Sequence, residues 1–144
     1  MSSDQKRRRA ALRPILRVVS AAVLRFDGQL STFKPHASPP EKPCPCYRCI
    51  YPEAPPPGQI PSCDEAGVLG AVAGVLGTLQ ATEVLKEILG IGDSMAGRLL
   101  IYDALSAAMR QVKVKPDPEC TLCSPKATIK DLSLHRAPKQ LISL

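Results

Sequence analysis

Aromatic side chains are scarce in this 144-residue chain, which has no tryptophan, two phenylalanines and three tyrosines. Proteins that bind single-stranded nucleic acid commonly stack its bases on aromatic rings that are interleaved with basic residues. So few rings argue against that class of function. The hydrophobic fraction of 44% is nevertheless enough for one core, whose bulk has to come from aliphatic side chains.

Three other signals are absent from the sequence. It contains no Walker A and no G-x-G-x-x-G motif; in the nearest match, Gly90-Ile91-Gly92, Met95 stands where the third glycine is required. No apolar segment follows the basic N-terminus as a secretory signal would require. The longest apolar run, residues 66–77, is well short of the roughly 20 residues of a membrane-spanning helix. We expect a cytoplasmic protein without a visible nucleotide site.

Basic charge is concentrated at the N-terminus. The net charge is +6, and residues 1–17 contribute +5 of it, with six basic residues against one aspartate. The remaining residues are nearly neutral at +1, which argues against nucleic-acid binding. A basic, disordered lead over residues 1–17 is the simplest interpretation, and an organelle transit peptide is a weaker one.

Residues 18–33 predict a β-hairpin. The segment 18–26 is rich in β-forming residues, Asp27-Gly28 is a dipeptide favoured in two-residue hairpin turns, and residues 29–33 would form the returning strand. The following residues 34–61 hold ten of the fifteen prolines, each of which fixes φ and lacks a backbone donor. We therefore expect a long irregular loop there.

Residues 62–89 predict one long helix. Ser62 and Glu65 have the spacing of a capping box at its start, and Gly90 is placed for a C-terminal cap. Apolar residues recur every three or four positions between them. Each glycine inside a helix costs about 1 kcal/mol relative to alanine, so we expect close packing to explain four of them: Gly67, Gly70, Gly74 and Gly77.

Residues 98–115 predict a second pair of strands. Val112 and Val114 alternate with polar residues, which predicts one buried and one solvated face. Pro116 would end the second strand. Hairpins combined with a long helix indicate an α/β fold class.

Four cysteines form two Cys-x-x-Cys pairs, Cys46 with Cys49 and Cys120 with Cys123. Each pair can aim two thiolates at one point from a tight turn, so the two pairs together can form a structural Zn²⁺ site. A redox or disulfide role is the alternative, although cysteine pairs in a reducing compartment favour metal binding. Cys44 offers an alternative ligand two residues before Cys46.

Cys63 lies at the predicted start of the long helix. Free N–H groups and the helix dipole would favour a reactive thiolate there, whereas Asp64 and Glu65 would raise the pKa of the thiol. A buried, inert thiol is an equally good interpretation. The two histidines, His36 and His135, lack the spacing of a triad or a metal site, so we expect solvated side chains.

Several motifs occur between residues 18 and 132 in an order that is typical of one protein family. They are Arg25–Leu30, Pro45–Glu53, Ser62–Gly70, Gly77–Lys86, Gly97–Ala104, Cys120–Cys123 and Thr128–Leu132. Together they resemble the C-terminal half of the MoeB/ThiF/HesA adenylyltransferases, which are relatives of ubiquitin-activating enzymes. The resemblance implies the C-terminal part of a Rossmann-like ThiF-type fold over residues 18–132, followed by a tail over residues 133–144.

The family activity implied by this resemblance depends on ATP and Mg²⁺. It adenylates the C-terminal glycine of a ubiquitin-like sulfur-carrier protein, as in molybdopterin or thiamine synthesis. The resemblance also matches Cys63 to a cysteine of the crossover loop that holds the carrier covalently in some members. It implies four zinc ligands: Cys46, Cys49, Cys120 and Cys123.

Residues 1–17 do not resemble the nucleotide-binding half of that family. We therefore expect that the chain neither binds ATP tightly nor adenylates a carrier by itself. It would be either a C-terminal fragment of the enzyme or a non-catalytic, zinc-stabilised module that binds a sulfur carrier, forms a homodimer or pairs with a full-length relative. Without the other half, its strands would expose apolar surface and free edges, and the metal-free chain would lose much of its fold.

Overall fold

The computed structural model describes residues 17–38, 43–56 and 58–129. Four strands form one sheet in the order β1-β2-β3-β4, with β1 Val18–Leu24, β2 Asp27–Phe33, β3 Arg98–Asp103 and β4 Ala108–Lys113. The helices are α1 Tyr47–Ile50, α2 Cys63–Ala66 and α3 Gly70–Leu89. The predicted α/β class is confirmed. All three strand pairings are antiparallel, so the Rossmann-like arrangement stays a prediction.

The first hairpin turns two residues earlier than predicted. Leu24 pairs with Asp27, so residues 25 and 26 form the turn, and the first of them has a φ of 54°. Gly28 is instead an interior residue of β2. A Cβ atom at Gly28 would lie 2.7 Å from Cδ2 of Leu76 in α3, so glycine is required there because the helix approaches the strand so closely.

The predicted helix over residues 62–89 is two helices. The capping box at the start of α2 is confirmed: the Glu65 N–H donates to the Ser62 hydroxyl at 3.3 Å, and the Ser62 N–H donates to the Glu65 carboxylate at 2.9 Å. Gly67, with a φ of 73°, ends this helix after one turn. Gly90 caps α3 in the left-handed conformation, as predicted.

Tertiary hydrogen bonds explain the break between α2 and α3. The Arg25 N–H donates to the Gly67 carbonyl at 3.1 Å, and the Leu69 N–H donates to the Arg25 carbonyl at 3.0 Å. These bonds pair residues 67–69 with the first hairpin and prevent them from continuing a helix. The prediction of close packing at the helix glycines is wrong for the described residues, because a Cβ would meet nothing within 4 Å at Gly67, Gly70, Gly74 or Gly77.

The core lies between α3 and one face of the sheet. Its buried side chains are Leu30, Val72, Leu76, Met95 and Leu100. The helix contacts β1 and β2, whereas every residue of β4 is exposed. The second hairpin is confirmed, but the prediction that its last strand buries one face is wrong because α3 does not extend over β4.

The proline-rich segment 34–61 is more regular than predicted. Pro35–Ala37 form a 3-10 turn, in which proline occupies the first position that tolerates it. The four residues of α1, Tyr47–Ile50, form a helical turn in a stretch without proline. This turn ends just before Pro52, as the steric restriction on residues preceding proline requires.

Apolar side chains remain exposed along the outer side of α3. The exposed fractions are 57% for Leu85, 73% for Ile88 and 62% for Leu89. Met109 and Val112 of β4 are exposed as well, which agrees with the expected exposed apolar surface. Among the described residues, no helix combines the length and the apolar character that crossing a bilayer requires.

Candidate metal centre and adjacent groove

Four cysteine thiols meet where the proline-rich loop contacts the turns after β4. Their sulfur atoms all lie within 4.8 Å of one another. The Sγ–Sγ distance is 3.8 Å from Cys46 to Cys49, 3.5 Å from Cys46 to Cys120 and 3.4 Å from Cys49 to Cys123. All four cysteines of the two predicted pairs are therefore brought to one point and could hold a metal ion.

The backbone around the cysteines aims the thiols at this point. Cys46 caps the N-terminus of α1, and its carbonyl accepts the N–H of Cys49. The Asp117 N–H donates to Cys49 Sγ at 3.4 Å, and the Leu122 N–H donates to Cys120 Sγ at 3.5 Å. Such donors stabilise a thiolate over a thiol, which is the form that binds metal.

The thiols differ in their affinity for protons. Burial raises the pKa of the Cys46 thiol to about 11. Burial acts in the same direction on Cys120, but the backbone N–H groups of Cys123 and Leu122 outweigh it and lower the pKa of Cys120 to about 7. Burial and the neighbouring thiols raise the pKa of Cys123. Four adjacent thiolates would repel one another, and a bound cation would offset that repulsion.

The cluster fits a tetrahedral ion with four sulfur ligands. Zinc–sulfur bonds of about 2.3 Å would place the sulfur atoms roughly 3.8 Å apart, close to the 3.4 to 3.8 Å of the three contacting pairs. Two of the four side chains are buried and two are half-buried. A site closed by four protein ligands leaves no position for water or substrate, which is typical of a structural rather than a catalytic metal.

The other two cysteines lie outside the cluster. Cys44 is half-buried and is not one of the four converging thiols. Cys63 is the first residue of α2, is exposed, and borders a groove beside the cluster. The interpretation of Cys63 as a buried thiol is therefore wrong, and its reactivity stays a prediction.

A groove of about 1170 Å³ runs between the sheet and the proline-rich loop. Its floor is the sheet face turned away from α3, and its wall is the loop. The floor includes Ala22, Gln29 and Ile101, and the wall includes Tyr47, Arg48 and Tyr51. Sequence patterns did not reveal this groove, because its two sides come from segments that are far apart in the chain. Ser20 and Ala22 of β1 line the groove with small side chains, but Ala21 between them is small as well, so no alternation in the sequence marks an open face.

Aromatic and polar contacts hold the groove wall against the floor. The ring of Tyr47 meets Phe33 of β2 edge to face, with centroids 5.5 Å apart. Tyr51 lies against Tyr47 at 4.8 Å, and its hydroxyl donates to Gln29 Oε1 at 2.6 Å. Burial and the neighbouring Tyr47 raise the pKa of Tyr51. The wall is thus attached to the same strand that contributes Leu30 to the core.

Two predicted terminal segments lie mostly outside the described residues. Of the basic lead over residues 1–17, only Arg17 is described, and its guanidinium forms an ion pair with Glu87 at 3.4 Å. The tail over residues 133–144, which contains His135, is not among the described residues. His36 is exposed in the 3-10 turn, as predicted.

The protein is of the α/β class, with α3 packed on one face of a four-stranded sheet. The proline-rich loop lies over the other face, and two of its cysteines meet two cysteines of the segment after β4. The chain belongs to the ThiF family, which it matches over residues 6–122. That range begins inside the lead predicted over residues 1–17. The resemblance inferred from the sequence motifs is therefore confirmed.

The chain is similar to proteins that are named as adenylyltransferases. It is 46% identical over 120 residues to the sulfur carrier protein adenylyltransferase of Thermus thermophilus, covering 83% of this chain and 44% of that protein. It is 46% identical over 116 residues to the adenylyltransferase and sulfurtransferase MOCS3 of Bos taurus, covering 80% of this chain and 24% of that protein. The same protein of Drosophila virilis is 44% identical over 116 residues. The chain thus spans less than half the length of these relatives.

Proposed function

We propose that the chain supplies the carrier-binding part of an adenylyltransferase that activates the C-terminal glycine of a ubiquitin-like sulfur-carrier protein. The observation that carries this proposal is the groove between the sheet and the loop, in a chain that is similar to a protein named sulfur carrier protein adenylyltransferase. An extended C-terminal tail could lie in this groove with its end near Cys63, which borders it. Small and apolar floor residues suit the close approach of glycines.

In this proposal Cys63 is the residue that holds the carrier covalently. Its thiol is exposed, and α2 presents it at the groove. ATP and Mg²⁺ serve the family reaction, but the sequence has no glycine-rich phosphate loop. The isolated chain therefore binds a carrier without adenylating it.

The metal of the cysteine cluster is zinc in this proposal. Four sulfur ligands in a closed, tetrahedral arrangement are the donor set of structural zinc sites. The ion would connect the proline-rich loop to the segment after β4, because each of these contributes two ligands. It has no part in the adenylation chemistry.

A matched pair of substitutions tests the groove as the binding site. Ala22→Arg places a long side chain on the groove floor, and Ala81→Arg makes the same change on α3; both alanines are exposed. With a sulfur carrier that ends in Gly-Gly, calorimetry should show at least tenfold weaker binding for Ala22→Arg and less than a twofold change for Ala81→Arg. Equal affinities for the two variants would contradict this use of the groove.

The same preparations test whether the chain is inactive alone. Carrier-stimulated exchange of pyrophosphate into ATP is expected to be absent, because no phosphate-binding loop is present in the sequence. Exchange above the background of a carrier-free control would show that the chain adenylates by itself. Removal of the two terminal glycines from the carrier should weaken binding to the unmodified chain, since the tail occupies the groove.

A second role is pairing with a full-length relative or a second copy. The exposed leucines and isoleucine along α3 favour it, because a monomer rarely leaves such side chains together in water. Sedimentation of the chain alone and mixed with a full-length relative would measure it. An Ile88→Glu variant should abolish any complex formed through α3. A complex that still forms with this variant would show that α3 is not the interface.

A further inference from the structure

The helical turn α1 belongs to the cysteine cluster and to the groove at once. Cys46 is its N-cap and Cys49 is its third residue, so two of the four converging thiols lie on one turn. Between them stand Tyr47 and Arg48, whose side chains line the groove. The two metal ligands are therefore direct sequence neighbours of the two wall residues.

Alone, α1 has little to stabilise it. It contains four residues, and a single helical turn fixes several dihedral angles in return for one or two hydrogen bonds. The amides of Cys49 and Tyr51 donate to the carbonyls of Cys46 and Tyr47. Tyr47 remains 49% exposed, so its contact with Phe33 removes only part of the ring from water.

The sheet and α3 have an independent core. None of its five buried residues comes from the proline-rich loop or from the cysteine cluster. Leu76 of this core lies against Gly28 of β2. Loss of the metal therefore removes no apolar contact from this core.

We propose that metal binding at the four cysteines orders α1 and so forms the groove wall. The groove then exists in the metal-loaded chain and is lost from the metal-free chain, while the sheet and α3 stay folded in both. Ligation of Cys46 and Cys49 fixes α1, and α1 holds Tyr47 against Phe33 and brings Tyr51 to Gln29. Metal binding then controls the groove, whose occupant, on the function proposed above, is the C-terminal tail of the carrier.

Proton NMR of the full chain tests this directly. With one equivalent of Zn²⁺, cross-relaxation should connect the rings of Phe33 and Tyr47 and also Gly28 with the Leu76 methyl groups. After zinc removal by a chelator under thiol-reducing conditions, the Phe33–Tyr47 signal should disappear and the Gly28–Leu76 signal should persist. Persistence of both signals overturns the proposal, because the wall would not need the metal. Loss of both also overturns it, because the metal would then support the whole fold.

If metal binding stabilises the groove wall, the wall stabilises metal binding by the same free energy. A substitution that weakens the wall must therefore lower the affinity for the metal. Tyr51→Phe deletes only the hydroxyl that donates to Gln29. A hydrogen bond of ordinary strength predicts a loss of zinc affinity of roughly three- to tenfold in a competition titration. Tyr102→Phe removes the same atom from β3, away from the cluster, and should change the affinity by less than twofold. Equal affinities of these two variants would show that wall and metal are uncoupled.

Discussion

The sheet with α3 and the proline-rich loop that crosses it are stabilised by different chemistry. Five buried apolar side chains fill the space between the sheet and the helix. In the loop over residues 34–61, only Pro45 and Cys46 are buried among the described residues. Ordering a residue costs about 1–2 kcal/mol of backbone entropy, which so little buried apolar surface cannot offset. The loop therefore depends on its thiol cluster, whereas the sheet and α3 depend on packing.

Because the two regions are stabilised differently, metal removal should unfold less of the chain than the sequence analysis predicted. Metal binding is coupled to folding where the ligands hold the only ordered structure. Here the ligands hold the loop and the segment after β4, while the core contains none of them. We now expect loss of the metal to release these two segments and to leave the sheet and α3 in place.

Leu76→Ala should give the largest effect that distinguishes the two regions. Leu76 is almost fully buried in the core and contacts Gly28. Its truncation leaves a cavity and should lower the free energy of unfolding by about 2–5 kcal/mol, measured by denaturant unfolding followed by circular dichroism. The zinc affinity of the folded protein should not change.

Leu85→Ala is the control for that substitution, because Leu85 lies on the exposed side of the same helix. It should change the unfolding free energy by no more than about 0.5 kcal/mol. A similar loss in both variants would mean that the outer side of α3 is covered in solution. Reduced zinc affinity in Leu76→Ala would mean that the two regions are one cooperative unit.

Ser62→Ala should have a smaller effect, confined to α2, the helical turn that follows the proline-rich loop. It removes the hydroxyl that accepts from Glu65 and caps α2, which is worth about 1 kcal/mol. The amides of Ala66 and Gly67, which donate within this turn, should exchange roughly fivefold faster with solvent. The free energy of global unfolding should be unchanged, and an equal drop in it would mean that α2 unfolds together with the sheet and α3.

Local patterns in the sequence predicted the features that depend on neighbouring residues. The capping box needs only Ser62 and Glu65, and each cysteine pair sits on one turn, so spacing was sufficient for both. The α/β fold class, the existence of both hairpins and the Gly90 cap were also predicted from local sequence patterns.

Tertiary contacts account for what the sequence patterns missed. Gly28 was predicted to be a turn residue, but its role is set by Leu76, which is 48 positions away in the chain. The helix break at Gly67 is set by hydrogen bonds to Arg25. The groove lies between β2 and α1. The pattern of apolar residues within one segment does not indicate which other segment will pack beside it.

Backbone strain in the second hairpin leads to the smallest predicted effect, and it should be confined to the packed region. Ala107 has a φ of 53°, a conformation that costs an L-residue about 1–2 kcal/mol. The Asp103 carboxylate accepts the N–H groups of Leu105 and Ser106 at 2.9 and 3.3 Å, which fixes the turn before it. Ala107→Gly should therefore stabilise the chain by roughly 0.5–1 kcal/mol in denaturant unfolding, because glycine adopts this φ freely. Ala108→Gly, one residue later in β4, should destabilise it by a similar amount, since glycine weakens a strand. Neither change should alter zinc affinity or amide exchange in α1, and a shift of either would mean that strain in the sheet reaches the loop.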